Sequence, residues 1–331
     1  MKNILLVGGA GYVGTVVTAH FLKKGYKVTA LDNFVYGNQF SILSCIGDPA
    51  YKFIRGDMSN NADLEKTLKE GITDVILMAG LVGDPITKKY PEQSTVINEK
   101  GVQNCMDFFR GKGIDKLVFI STCSNYGLIK TDELADETFE LNPLSIYAKA
   151  KVANELYLLE KKNLLDYTGV VLRFATAFGL SPRMRFDLSI SEFVKELYLK
   201  KELSVYDEHT WRPYCHVRDF ARLLDTVINA DNSLVAFEVF NAGGEKNNYT
   251  KKMIVEEIMK RLPDSKVKYG TNGNDPRNYR VSFAKVKNRL GFEPQFSVPY
   301  GVEELINALS IGLYEDAEEN KTQYGNYVIH Y

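Results

Sequence analysis

The sequence has no apolar run long enough to cross a membrane. Its first apolar stretch, Ile4 to Val7, is broken at once by Gly8 and Gly9, which also makes it too short for the core of a secretion signal. Neither charge is in excess: 41 lysines and arginines are interspersed with 42 aspartates and glutamates, for a formal net charge of −1. Such a balance gives no electrostatic footprint for nucleic acid or for an anionic membrane, and neither partner is expected. Cysteines are few. Cys45, Cys105, Cys123 and Cys215 lie far apart without a CxxC pair, and only Cys215 has an adjacent histidine, His216, at a spacing that is not a ligand pattern. Neither a disulfide framework nor a metal site is expected, and the thiols read as reduced, in a cytoplasmic protein. No fixed-period repeat or low-complexity segment occurs.

What is present is an ordinary globular composition, 45% hydrophobic and 25% charged over 331 residues, enough for one large domain or two unequal ones. Short β-branched runs alternate with helical patterns. ILLV precedes a helix from about Tyr12 to Lys24, and VTALD precedes one near Asp63 to Lys69. DVILMAG precedes a helix from about Pro91 to Phe109, KLVFIST one from Pro143 to about Lys162, and GVVLRF closes the series. This alternation predicts βαβ units and an α/β fold with a doubly wound parallel sheet. After Gly179 the elements become shorter and mixed. We expect residues 1–179 to form a dinucleotide-binding domain to which some later segments return, 180–314 a smaller mixed α/β substrate-binding part, and 315–331 a tail of unreadable role.

GGAGYVG places Gly8, Gly11 and Gly14 directly after the first strand and at the entry to the first helix. Missing Cβ atoms there permit a tight turn and close approach of a pyrophosphate, and the helix N-terminus favours its charge. Strand 2 ends in Asp32, the distance at which a carboxylate accepts from adenosine ribose hydroxyls. No Lys or Arg stands between Asn33 and Ala50, so NAD is expected over NADP. Tyr12, Val13 and Asn33 belong to the same loops. Asp57 in RGDMSN suits either an adenine contact or a cap on the next helix, and Met58 suits packing along the adenine.

In NPLSIYAKAK, Asn142 reads as a helix cap with Pro143 at the first helical position. Tyr147 and Lys151 then fall four residues apart on one face. An ammonium beside a phenol favours the phenolate, and the positive charge of oxidised nicotinamide adds to the effect, so a group that ordinarily titrates at about 10 becomes a base near neutrality.

Together GGAGYVG, Asp32, MAGLVGD, VINEKGVQN, STCSNYG, YAKAK and RPYCHVRD resemble the extended short-chain dehydrogenase/reductase superfamily, within it the NAD-dependent nucleotide-sugar epimerases and dehydratases. The likeness runs over nearly the whole chain. It implies a Rossmann-type fold, NAD, contacts from Ala79 and Gly80, and a catalytic set of Thr122, Tyr147 and Lys151. In such a set the Thr122 hydroxyl bonds the sugar's 4-hydroxyl, Tyr147 takes its proton, the C4 hydride passes to NAD, and Lys151 also holds the nicotinamide ribose. The resemblance further implies that Arg212 and Arg277 hold the substrate's diphosphate, their planar forks suiting it, with Arg280 a third candidate that otherwise faces solvent from a strand YRVSF. Asn98 would steady the backbone around the tyrosine helix. The helices over Pro91–Phe109 and Pro143–Lys162 would form a four-helix bundle in a homodimer.

Two departures from the family's pattern carry information. Where similar 4,6-dehydratases have Asp and Glu, this chain has Cys123 and Ser124, which cannot act as their acid and base at neutral pH; dehydration is not expected. Thr176 replaces a usual Asn, and Arg183 and Arg185 follow, so these three are candidate substrate contacts of altered specificity. Tyr126 and His216 read as packing residues, and Cys123 as no nucleophile, since nothing nearby lowers its pKa. The expected activity is NAD-dependent oxidation at C4 of a nucleotide-activated sugar. STCSNYG, LSPRMRFD and HTWRPYCHVRD are similar to GDP-heptose 4-dehydrogenases of capsule pathways; a nucleotide-hexose 4-epimerase and, more remotely, a non-catalytic NAD sensor are the alternatives.

Overall fold

Continuous burial along the first strand sets the architecture. In β1 (Asn3–Val7), Ile4 and Leu6 face one apolar cluster while Leu5 and Val7 face another, as a strand covered on both sides requires. The computed structural model describes residues 2–130, 133–271, 273, 275 and 277–330.

The chain runs through α1 (Tyr12–Lys23), β2 (Lys27–Asp32), β3 (Tyr51–Arg55), α2 (Asn61–Leu68), β4 (Asp74–Leu77), α3 (Asp84–Lys89), α4 (Pro91–Thr95) and α5 (Val102–Phe108). Then come β5 (Lys116–Thr122), α6 (Ile146–Glu160), β6 (Thr168–Phe174), β7 (Thr176–Phe178), α7 (Ser189–Leu199), β8 (Glu202–Tyr206), β9 (Trp211–His216) and α8 (Val217–Asn229). The last are α9 (Asn232–Val235), β10 (Glu238–Ala242), β11 (Asn248–Thr250), α10 (Lys251–Met259), β12 (Lys266–Gly270), α11 (Ala284–Leu290) and α12 (Val298–Ser310). Seven strands form one sheet in the order β3-β2-β1-β4-β5-β6-β10, each neighbouring pair parallel. Helices α1 and α8 cover one face, and α2, α5 and α6 the other. The order reverses between β1 and β4, where a crevice opens at the strands' carboxyl ends.

A third apolar cluster unites α7, α10 and α12 with β8 and β9. Beside it lie a three-stranded sheet, β11-β9-β7, and the parallel pair β12-β8. No helix among the described residues is long and apolar enough to cross a membrane.

Several local expectations are corrected. Helix α6 begins at Ile146, capped by Ser145, whose Oγ accepts from Ala148 N at 3.1 Å. Asn142 instead donates its backbone N–H to Asn125 O at 2.9 Å, which holds it outside the helix. The rod over Pro91–Phe108 contains a π-helical turn, Val96–Gly101. YRVSF is no strand: among the described residues there it forms only an isolated bridge between Val281 and Ala135, with a second from Asn278 to Leu128. Asp57 does not cap α2, which Asn60 does. The tail is docked: Phe186 N donates to Tyr324 O and His330 N to Val35 O, each at 2.7 Å.

Beneath the sheet's carboxyl end lies a buried ion pair. Arg173 on β6 donates to both oxygens of Glu155 on α6, with Nη2 to Oε2 at 2.7 Å and Nε to Oε1 at 3.1 Å. Glu155 also accepts from the Ser121 hydroxyl on β5 and from Asn125 Nδ2. Arg173→Met strands this carboxylate, so we expect a loss of about 3–5 kcal/mol, read as a lower urea midpoint. Glu155→Leu combined with Arg173→Met should restore at least half of it.

Candidate active site

A cavity of about 950 Å³ follows the crevice from the glycine loop to β8. Of the residues singled out above for cofactor or substrate it is lined by Gly8, Gly11, Tyr12, Val13, Gly14, Asp32, Asn33, Asp57, Met58, Ala79 and Gly80 at one end, Thr122, Tyr147, Lys151 and Thr176 in the middle, and Arg183, Arg185, Arg212 and Arg277. Asn98 and Arg280 do not line it. Arg280 stacks its guanidinium over Trp211 at 4.8 Å.

The glycine loop is shaped by close approach. A Cβ on Gly14 would stand 2.3 Å from Gly8 O, whereas one on Gly11 would meet only Gly8 O, at 3.4 Å. Gly14 therefore packs the helix against the turn, and Gly11 leaves the cradle open toward the cavity. Asp32 ends β2 with Oδ1 accepting from Phe34 N at 2.8 Å and Oδ2 from Ala10 N at 3.1 Å. Burial pushes its carboxyl up, and those two backbone N–H groups pull it back. Asn33 Nδ2 donates to Asp57 Oδ2 at 3.1 Å. Asn38 Oδ1 is buried in the same wall without a protein partner, an acceptor ready for a ligand donor. Asp32, the open cradle and this acceptor fit NAD.

Thr122 closes β5, where its Oγ1 accepts from Ser124 N at 3.1 Å. The hydroxyl proton is thereby left for a ligand oxygen. On α6, Lys151 Nζ donates to Ile120 O at 2.7 Å and stands 5.7 Å from the centre of the Tyr147 ring. Burial pushes the ammonium down to about 8, with Glu155 opposing the shift. Asn98 sits in the π-helical turn, its amide bonded both ways to Leu81, with N–H to Oδ1 at 2.7 Å and Nδ2 to O at 2.9 Å. The turn frees its backbone carbonyl to accept from Asn154 Nδ2 on α6 at 2.6 Å.

Cys123 is buried, and its thiol donates to Arg173 O at 3.0 Å; burial pushes its pKa far up. Ser124 Oγ lies 3.1 Å from the Tyr279 hydroxyl. Tyr126 donates to Asn241 Oδ1 at 2.7 Å inside the core. His216 accepts from Arg218 N on Nδ1, which fixes the tautomer that donates Nε2–H to Glu304 at 3.0 Å. Arg185 forks onto Asp187, while Arg183 donates to Gly325 O and stacks over Tyr36 at 5.1 Å. This brings a distant cation toward Asp32, something the stretch from 33 to 50 does not reveal. The cavity also takes in Tyr36, Lys251, Asp275 and the tail's Asn326, none of which carries a local motif. Among the described residues no cluster suits a metal.

Residues 4–243 match the model of the NAD dependent epimerase/dehydratase family, and the chain belongs to this family of enzymes, whose cofactor is NAD. It is 29% identical to the UDP-glucuronate 4-epimerase of Thermodesulfobacterium geofontis, over 93% of this chain and 96% of that protein. Identity to the dTDP-glucose 4,6-dehydratase of an Actinoplanes species is 27%, over 92% and 96%. The dTDP-glucose 4,6-dehydratase of Bacillus anthracis, solved in complex with NAD, superimposes with a TM-score of 0.84 at 25% identity, covering 98% of this chain and all of that one.

Lys151 links site electrostatics to stability. Its folded pKa lies below its unfolded one, so the unfolded chain binds the extra proton between about pH 8 and 10.5, and this group's destabilisation, full below that window, is relieved as pH rises through it. The positive charge that Lys151 places beside the Tyr147 ring runs the opposite way and is lost above about pH 8. Lys151→Met should therefore leave the melting temperature undiminished while lowering turnover at least about 100-fold. A melting temperature that falls with the activity would contradict this.

Proposed function

We propose that this enzyme oxidises C4 of a nucleotide-activated sugar, a GDP-linked heptose destined for bacterial surface polysaccharide, and releases the 4-keto product. The observation that carries the choice against dehydration is the state of positions 123 and 124. Cys123 is a buried thiol committed to the Arg173 carbonyl and Ser124 is paired with Tyr279, so neither offers an acid or a base.

In this reading Tyr147 removes the proton of the 4-hydroxyl, which Thr122 orients by its own hydroxyl. Lys151 stabilises the resulting phenolate and holds the nicotinamide ribose. Gly11 and Asp32 would hold NAD, which would supply the acceptor for the C4 hydride. Arg212 and Arg277 clamp the diphosphate, while Thr176, Arg183 and Arg185 flank the sugar. Residues 1–179, with α8 and β10 returning to them, serve the cofactor and the rest of 180–314 the substrate, with 315–330 packed against both. Exposed Val96, Ile146 and Leu156 on the α4–α5 rod and α6 suit a homodimer built as a four-helix bundle, in the cytoplasm.

A nucleotide-hexose 4-epimerase is the second reading, favoured by the 29% identity to a UDP-glucuronate 4-epimerase. Incubation with a panel of GDP-, UDP- and CDP-sugars separates the two. Loss of two hydrogens by mass with NADH absorbance supports the dehydrogenase, and an isobaric product without net NADH supports the epimerase. Loss of water would sink the inference from Cys123 and Ser124. Tyr147→Phe should reduce whichever activity is found by about 10²–10⁴-fold; an active site elsewhere would leave it unchanged.

A further inference from the structure

The seat between Arg212 and Arg277 already contains an anion of the protein itself. Arg277 donates to Asp275 in the planar two-pronged arrangement, Nε to Oδ1 at 2.7 Å and Nη2 to Oδ2 at 2.8 Å. Arg212 Nη2 stands 3.1 Å from the same Oδ2. Arg212 is itself buried and fixed from behind, its Nη1 donating to Trp211 O at 2.7 Å and to Arg277 O. Lys251 adds a third positive group at this end of the cavity, with Nζ donating to Tyr206 O at 2.7 Å. The two arginines hold the Asp275 carboxyl far below the usual range, so it is ionised at any working pH.

Two guanidinium groups sharing one carboxylate oxygen reproduce the way they would share the oxygens of a phosphate. Without that carboxylate, three cations would face one another across a low-dielectric cavity. The loop is pinned at both sides of Asp275, by Gly273 N donating to Asp207 Oδ2 and by Asn278 Oδ1 accepting from Trp211 N, each at 2.7 Å. A swing of the aspartate side chain is therefore enough to vacate the seat.

We propose that Asp275 occupies the diphosphate seat of the ligand-free enzyme and is displaced by the incoming nucleotide diphosphate, so that this residue sets the affinity of the seat. The proposal rests on the reading of Arg212 and Arg277 as the diphosphate clamp. Binding is then an exchange of one anion for another. A ligand wins when it engages both arginines at once, as two linked phosphates do, and each binding event must break the charge-assisted pair first.

Calorimetric titration of the NAD-loaded enzyme with GDP and with UDP tests this, using wild type, Asp275→Asn, Asp275→Ser and Arg212→Met. Removing the competing carboxylate should tighten whichever nucleotide binds by about tenfold in both Asp275 variants, and Arg212→Met should abolish binding. Two variants guard against one that does not fold. An unchanged or weaker Kd in a folded Asp275 variant, with binding still lost in Arg212→Met, overturns the displacement while leaving the clamp intact. If no form binds either nucleotide, or Arg212→Met binds as wild type does, the clamp reading fails and the proposal falls with it.

Discussion

The active site depends on the buried pairing of Glu155 with Arg173. Thr122 comes from β5, Tyr147 and Lys151 from α6, and the cavity floor from β6, so chemistry requires the helix to hold one register against two strands. Glu155 fixes that register. It is the third residue in the series Tyr147, Lys151, Glu155 along one face of α6, and it meets Ser121 next to Thr122 on one strand and Arg173 on the other. The network continues from Arg173 to Tyr126 and from Tyr126 to Asn241 at 3.1 and 2.7 Å, tying the sheet's last strand to the same point. A second tie runs from α6 through Asn154 to Asn98 and on to Leu81, which fixes the loop after β4. A buried ion pair is weak evidence for stability in itself. Its contribution here is geometric: it ties α6 to β5 next to Thr122 and to β6 at one point.

The same burial that gives the pair its rigidity sets the electrostatics of catalysis. Lys151 has lost water, and its ammonium rests on a backbone carbonyl, the rings of Phe119 and Tyr147 and the nearby Glu155 charge. A charge on the neighbouring Tyr147 ring would be felt there more strongly than across water, which screens it. The protein carries this desolvation as a standing instability inside the cavity.

Much of this was readable in the sequence because the signals are local. Alternating apolar runs give the strands, and the glycine loop and the Tyr147–Lys151 spacing each need only a few contiguous residues. The failures have a common cause in contacts from far along the chain. Asn142 followed by Pro143 satisfies the rule for a helix start, but its backbone is captured by Asn125, and Ser145 three residues later takes the role. YRVSF has the composition of a strand, yet its backbone is divided among an isolated bridge to Ala135, Trp211 O and the side chains of Asn248 and Asn241. The tail shows no periodicity because it packs against loops, through Val35, Val82 and Arg183, where neither period 2 nor period 3.6 applies. Asp275 and Lys251 belong to no motif of the sequence; only the fold places them in the cavity.

Positions 123 and 124 show how thoroughly a change of chemistry can be absorbed by its surroundings. The Cys123 thiol points into the core, against the Arg173 carbonyl and within the fields of Glu137 and Glu155. A carboxylate at that position would be buried beside two others and would compete for the single guanidinium that Glu155 already uses. Ser124 is likewise tied to Tyr279, over whose ring Arg212 lies at 4.9 Å, so a longer acidic side chain would push into the phosphate end of the cavity. The register of α6 and the placement of Arg212 therefore leave no room for acidic side chains at 123 and 124. Two carboxylates there would crowd the Glu155–Arg173 pair and the Arg212 end of the cavity.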